Sequence, residues 1–183
     1  MTDARTVRTG RLLLKPVSWS DMEDMVRLKQ DGSAFGQMLG GVRTRQQAEQ
    51  DMADDIAFWA CHKVGIFTIH EENRFVGMTG VHDRPDGRGF SLRFSLYPWA
   101  SGRGIAREAA SAALNFSHDA GVERLIAVAK ESNLSSCSIL KGIGMRQCDT
   151  FERDGQRMLV YESFRPAPRL PAFSDRRRAR LIR

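Results

Sequence analysis

Residues 91–115, SLRFSLYPWASGRGIAREAASAALN, set an alternating run, a glycine turn and a helical run in direct succession. Leu92, Phe94 and Leu96 recur every second residue and stop at Pro98, and from Ile105 onward small and apolar residues follow helical spacing. Gly102-Arg103-Gly104 stands between the two periods. A strand that breaks into a glycine turn at a helix N-terminus points free N–H groups and the positive end of the helix dipole at one spot, which suits an anion. A lone G-x-G is weak evidence, and its place between strand and helix strengthens it. The helix over 105–120 ends at Gly121, and Val122–Ala129 reads as a continuous apolar strand of a sheet interior. A right-handed crossover sets that strand parallel to 91–97.

The rest of the chain supplies the partners. Arg11–Lys15 reads as a first strand closed by Pro16. Ser20 with Glu23 is a capping box for a helix carrying Met22, Met25, Val26 and Leu28. The glycine-rich segment 31–42 is either a loop lining a substrate entrance or a plain surface loop. Thr44 and Gln47 cap a second helix whose Ala48, Met52, Ile56 and Trp59 share a face, which makes Trp59 a core residue. Val64–His70, Phe75–His82 and 91–97 then form three consecutive antiparallel strands. A short helix over about 135–141 follows, and strands over about 145–152 and 156–164 flank Arg153-Asp154-Gly155, where Asp-Gly favours a tight hairpin. The expected class is α/β with a mixed sheet, in one domain over residues 1–165.

Net charge of +6 would suggest a nucleic-acid binder, but residues 166–183 hold six arginines against one aspartate, so the remainder is nearly neutral. That tail is either a solvated terminus or a contact for the ribosome, another nucleic acid or an acidic surface. No zinc, RRM or helix-turn-helix pattern accompanies it. No run approaches 18 apolar residues and the first residues lack an apolar signal core, so no membrane association is expected and the cytoplasm is the expected setting. Cys61, Cys137 and Cys148 are odd in number and lack metal spacing, which reads as free thiols and no metal site.

Three stretches together resemble the GNAT acyltransferase superfamily, within it the group that acetylates the N-terminal alanine or serine of ribosomal proteins, and its relatives. They are Arg11-Leu12-Leu13-Leu14-Lys15-Pro16 with Asp21; Leu96-Tyr97-Pro98 with Gly102-Arg103-Gly104-Ile105-Ala106; and Asn133-Leu134-Ser135-Ser136 with Gly142-Ile143-Gly144-Met145. The resemblance covers roughly residues 9–163. It implies three or four antiparallel N-terminal strands, a splayed parallel pair around an acyl-CoA site, and a C-terminal hairpin. It implies acetyl-CoA as donor, held by Leu96, Ser101, Gly102, Arg103, Gly104, Ile105, Ala106, Asn133 and Ser136. Backbone N–H groups of the glycine turn would take the pyrophosphate, Arg103 would add charge, and Asn133 would reach the pantetheine arm or simply cap a helix. The acceptor is then a primary amine, of a protein N-terminus or a small molecule, attacked directly in a ternary complex. A homodimer is compatible with this resemblance.

The sequence departs from the family pattern where proton handling is concerned. Ser91 stands where Glu is frequent, Arg93-Phe94 where relatives carry glycine and an aromatic, Trp99 at the head of the Gly-x-Gly signature, and Leu140 at the position of a tyrosine acid. Remaining titratable candidates are Glu71, His70 and, preferred, His82 with Asp83 after the long central strand; Ser136 or Cys137 could return a proton to the CoA thiolate. Each has an inert alternative: a structural or exposed His82, and a buried Cys137 on an apolar helix face. A lysine of pKa about 10.4 pays about 4.6 kcal/mol to be neutral at pH 7, an α-amine of about 7.7–8.0 only about 1–1.4 kcal/mol. A site without a strong base therefore suits an α-amine. The competing reading, drawn from the missing Glu and Tyr and from the tail, is a non-catalytic CoA-binding or ribosome-associated protein.

Overall fold

A computed structural model describes residues 3–167. The arginine-rich segment lies outside the described residues from Pro168 onward. Strands β1 (Val7–Arg8) and β2 (Leu12–Pro16) precede α1 (Met22–Gln30), α2 (Gly32–Phe35) and α3 (Arg45–His62). Next come β3 (Ile66–Glu71), β4 (Arg74–Asp83), β5 (Phe90–Leu96), α4 (Ile105–Asp119), β6 (Arg124–Lys130), α5 (Leu134–Gly142), β7 (Arg146–Arg153) and β8 (Gln156–Phe164). The strands form one sheet in the order β1-β2-β3-β4-β5-β6-β8-β7. Every neighbouring pair is antiparallel except β5 and β6, which run parallel as the crossover requires.

That parallel pair is barely a pair. Ser91 opposite Ile126 is its one registered position, whereas β4 and β5 match over seven, from Gly77–Leu96 to Asp83–Phe90. Past Ser91 the two strands part, so the backbone groups facing the gap have no ladder to join. Alternation along β5 sorts the side chains. Arg93 reaches Asp55 on α3 and Ser95 Oγ donates to the Ala34 carbonyl on α2 at 2.8 Å, while Leu92 and Leu96 join the core. The core continues through Ile105, Ala109, Ala110 and Ala113 of α4, whose small residues let the helix lie close on β4 and β5.

The expected elements are present, with boundary shifts that have local causes. Ser18, not Ser20, opens the first helical turn: it is extended, its amide donates to Asp21 Oδ2 at 2.9 Å, and Trp19–Asp21 form a 3-10 turn ahead of α1. The strand expected from Val122 begins two residues later, because the Val122 amide donates to the Ser117 carbonyl and closes the end of α4 around Gly121. The glycine-rich segment is not all loop. Asp31 accepts the amides of Ser33 and Ala34, which holds the single turn of α2 and buries Phe35. Thr44 and Gln47 make the expected capping box. Asp154 and Gly155 both take left-handed backbone in the β7–β8 hairpin. Trp59 is buried and donates to the Ile66 carbonyl at 2.7 Å.

Candidate active site

The gap between β5 and β6 opens into a cavity of about 750 Å³. Its walls are β5 from Ser91 to Leu96, β6 from Ala127 to Lys130, and the start of α5. The segment from Ser33 to Gly40 closes one side, so the glycine-rich stretch does line the entrance. Leu96, Ser101, Ala106, Asn133 and Ser136 all face this space, as do His82 and Asp83 at the end of β4. Gly102 to Ile105 do not line it; they form the turn beside it, between Ser101 and Ala106.

That turn holds the free amides that the sequence led one to expect at a helix N-terminus. Gly104 is the N-cap of α4 with φ +78°, a left-handed conformation that only glycine adopts freely, and its carbonyl accepts the Glu108 amide at 3.0 Å. Among the described residues, the six successive amides from Gly102 to Arg107 donate to no acceptor. They lie at the positive end of a 15-residue helix. Asn133 caps α5, its Oδ1 accepting the Ser136 amide at 3.1 Å. The capping role expected as one reading of Asn133 is thus present, and the residue also lines the cavity.

Other candidates lie elsewhere. The Arg103 guanidinium turns to Glu71, at 2.7 Å, and both line a separate recess with Arg74 and Trp99. Neither the expected phosphate charge from Arg103 nor a base role for Glu71 has support in this placement. His70 is buried beside Thr68, 3.2 Å from its hydroxyl, outside the cavity. Cys137 is also buried outside it, its thiol donating to the Lys130 carbonyl at 3.7 Å. Beside that thiol lies Tyr161, pushed up to about 12 by burial and then by Cys137. Leu140 occupies the cavity wall without any proton to give.

His82 is in the cavity, with its pKa lowered to about 3 by burial first and then by the Arg93 and Arg84 cations. The ring is therefore neutral at pH 7 and too weak a base to hold an incoming proton. Because the folded value lies below the unfolded one, the unfolded chain takes up this proton first, and stability falls as pH drops from about 6.5 toward 3. Between pH 6.5 and 5, where carboxylates contribute little, the loss is expected to approach about 1.4 kcal/mol per unit. Urea unfolding across that range should show the slope in the natural chain and a flatter one in His82→Gln; equal slopes would refute the assignment.

One part of the site was not anticipated from sequence. Lys29, fully buried on α1, lies 3.0 Å from Asp51 and 3.7 Å from Asp55 on α3, and Asp55 accepts Arg93 Nη2 at 2.9 Å. Arg43 joins through Asp51 at 3.3 Å. This network closes the α3 side of the cavity and fixes Arg93 on β5. A signal existed: Lys29 follows Met25 by four, and Asp55 stands between Met52 and Trp59, so both charges sit on apolar stripes.

Sequence and fold comparisons agree with this geometry. The family model of the Acetyltransferase (GNAT) domain matches residues 11–146. An acetyltransferase of Agrobacterium tumefaciens str. C58 superposes with TM-score 0.74 at 24% identity, covering 86% of this chain and 93% of that one. An acetyltransferase of Salmonella typhimurium, which modifies the N-terminal serine of ribosomal protein L7/L12, gives 0.73 at 13% identity, covering 85% and 96%. A ribosomal L7/L12 alpha-N-protein acetyltransferase in complex with coenzyme A gives 0.73 at 13%, covering 87% and 97%. No curated protein matches the sequence.

Proposed function

Since this chain belongs to the acetyltransferase (GNAT) domain family, we propose that it is an N-acetyltransferase that moves an acetyl group from acetyl-CoA to a primary amine, with a protein N-terminal α-amine as the acceptor best suited to its site. The observation that carries this reading is the forked β5–β6 pair beside six unbonded amides. The residues fit the donor: a diphosphate suits the amides of Gly102–Arg107, and an extended amide-bearing arm suits the unpaired backbone edges of the fork, near the Asn133 side chain. Bound there, the donor supplies an activated acetyl thioester.

The chain's own groups then have limited tasks. In this reading, backbone N–H groups of β5 near Leu96 polarise the thioester carbonyl, a role supported by the lack of a β6 ladder past Ser91. The neutral His82 can accept a hydrogen bond from an amine without retaining its proton, and Asp83 stands next to it, exposed at the end of β4 and also lining the cavity. Ser136 is the hydroxyl at the α5 end of the cavity suited to protonating a leaving thiolate. Such weak proton handling supports an acceptor that is already partly neutral at pH 7, which favours an α-amine over lysine. Attack is direct, within a ternary complex. Among the described residues no helix is long and apolar enough to cross a membrane, and the three cysteines are unpaired, which fits a reducing cytoplasm.

Labelled acetyl-CoA should acetylate peptides with free N-termini faster than N-blocked peptides carrying lysine, and the difference should narrow as pH rises toward 10. Binding of CoA without transfer to any of a broad amine panel would instead mark the chain as a non-catalytic CoA-binding relative.

A further inference from the structure

The glycine turn is held from outside the cavity by residues that the reaction itself does not need. Arg11, at the entry to β2, donates Nη2 to the Arg103 carbonyl at 2.5 Å and Nε to Glu108 Oε2 at 2.9 Å. The other Glu108 oxygen accepts Thr9 Oγ1 at 2.5 Å, and Thr9 Oγ1 in turn accepts the Leu12 amide at 3.0 Å. Thus a short segment of β1–β2 grips both the turn and the first turn of α4, across more than 90 positions of sequence.

Two physical consequences follow from those contacts. A trans peptide directs its carbonyl and its N–H to opposite sides. With the Arg103 carbonyl drawn to Arg11, the Gly104 N–H points away from Arg11 and stays out of any internal bond. Glu108 is the second consequence. A carboxylate in the first turn of a helix interacts favourably with the dipole, so it competes for the same field that would attract a phosphate and repels that phosphate directly. Burial alone would raise its pKa, but the bonds from Thr9 and Arg11 outweigh this and hold it below its ordinary value. Glu108 is thus ionised at neutral pH, and Arg11 is the cation beside it.

We propose that Arg11 is the positioning residue for diphosphate binding: it orients the Arg103–Gly104 peptide and neutralises Glu108 so that the amides of Gly102–Arg107 can donate to the oxygens of the acetyl donor's diphosphate. This rests on the reading of acetyl-CoA as donor. Arg11 touches no part of the reacting centre; it acts through the turn.

The test compares two donors, acetyl-CoA and S-acetyl-pantetheine, which lacks the diphosphate. Arg11→Gln is expected to raise the KM for acetyl-CoA and the Kd for CoA by about tenfold or more, with kcat within about twofold. Its kcat/KM with S-acetyl-pantetheine should equal that of the natural chain. Arg11→Lys, which keeps the charge but cannot bridge a carbonyl and a carboxylate together, should fall between. Adding Glu108→Gln to Arg11→Gln should recover part of the lost CoA affinity, since the unpaired carboxylate is gone. Equal losses with both donors would make Arg11 merely structural and overturn the proposal, as would an unchanged Kd in a folded variant of either kind. If the natural chain binds no CoA by calorimetry, the proposed function itself falls; normal binding by the natural chain with no effect of Arg11 removes only this inference.

Discussion

Replacing Asp55 by alanine is expected to reduce the free energy of unfolding by about 3–5 kcal/mol, because it leaves buried cations without their anion. Arg93 would lose its one carboxylate partner among the described residues, while its Nε is already buried without an acceptor. Lys29, with no exposed surface, would keep only Asp51. Burial pushes the Asp55 carboxyl up, and Arg93 and Lys29 offset this only in part; burial also pushes the Lys29 ammonium down, an effect that Asp55 and Asp51 oppose and the Arg93 cation reinforces. Breaking the network is therefore costly even though possessing it adds little. Removing all three charges together, with Lys29→Met, Asp55→Leu and Arg93→Met, should cost less than Asp55→Ala alone. For a domain of this size, about 3–5 kcal/mol lowers Tm by roughly 6–20 °C. Thermal and urea unfolding would measure both; a loss under about 1 kcal/mol in Asp55→Ala would show that the network is not what holds Arg93 and α3 against the sheet.

Gly104→Val should weaken CoA binding by about 10- to 100-fold while moving Tm little. At φ +78° a β-branched residue carries a strain of about 1–3 kcal/mol, and a Cβ there would stand 3.4 Å from Arg11 Nη2. The turn is exposed and can relieve that strain by rotating the 103–104 peptide. Relief removes the amide array, so the strain appears as lost affinity. Calorimetric titration with CoA and a melting curve separate the two possibilities. Affinity and Tm both unchanged would mean that the conformation of Gly104 has no part in binding.

What the sequence made legible was local. The change of period from two to helical across Gly102–Gly104, the capping pair Thr44 and Gln47, and the Asp154-Gly155 turn are each decided within a few residues. The order of these units then pointed to a parallel β5–β6 pair, and the resemblance to its splaying. Side-chain partners across the sheet were another matter. Arg103 is 32 residues from Glu71, and Arg93 is 38 from Asp55, so no window of sequence contains both members. The fate of His82 depended on burial and on Arg93, which the pairing of β4 with β5 brings near; only Arg84 was close in the sequence. Ser20 and Glu23 fitted a capping rule that Ser18 and Asp21 fitted as well, and a 3-10 turn decided between them.

The fork gives this sheet four edges where an ordinary open sheet has two. β1 and β7 face outward, and past Ser91 and Ile126 the facing sides of β5 and β6 are edges as well. An exposed edge normally invites a strand from another chain, and proteins shield it with charge, bulges or brevity. These inner edges are shielded differently: they lie in a cavity walled by α3, α5 and the 33–40 segment. The sheet thus keeps one unfilled strand position inside a walled cavity, where an edge can stay open without lying on the outer surface of the fold.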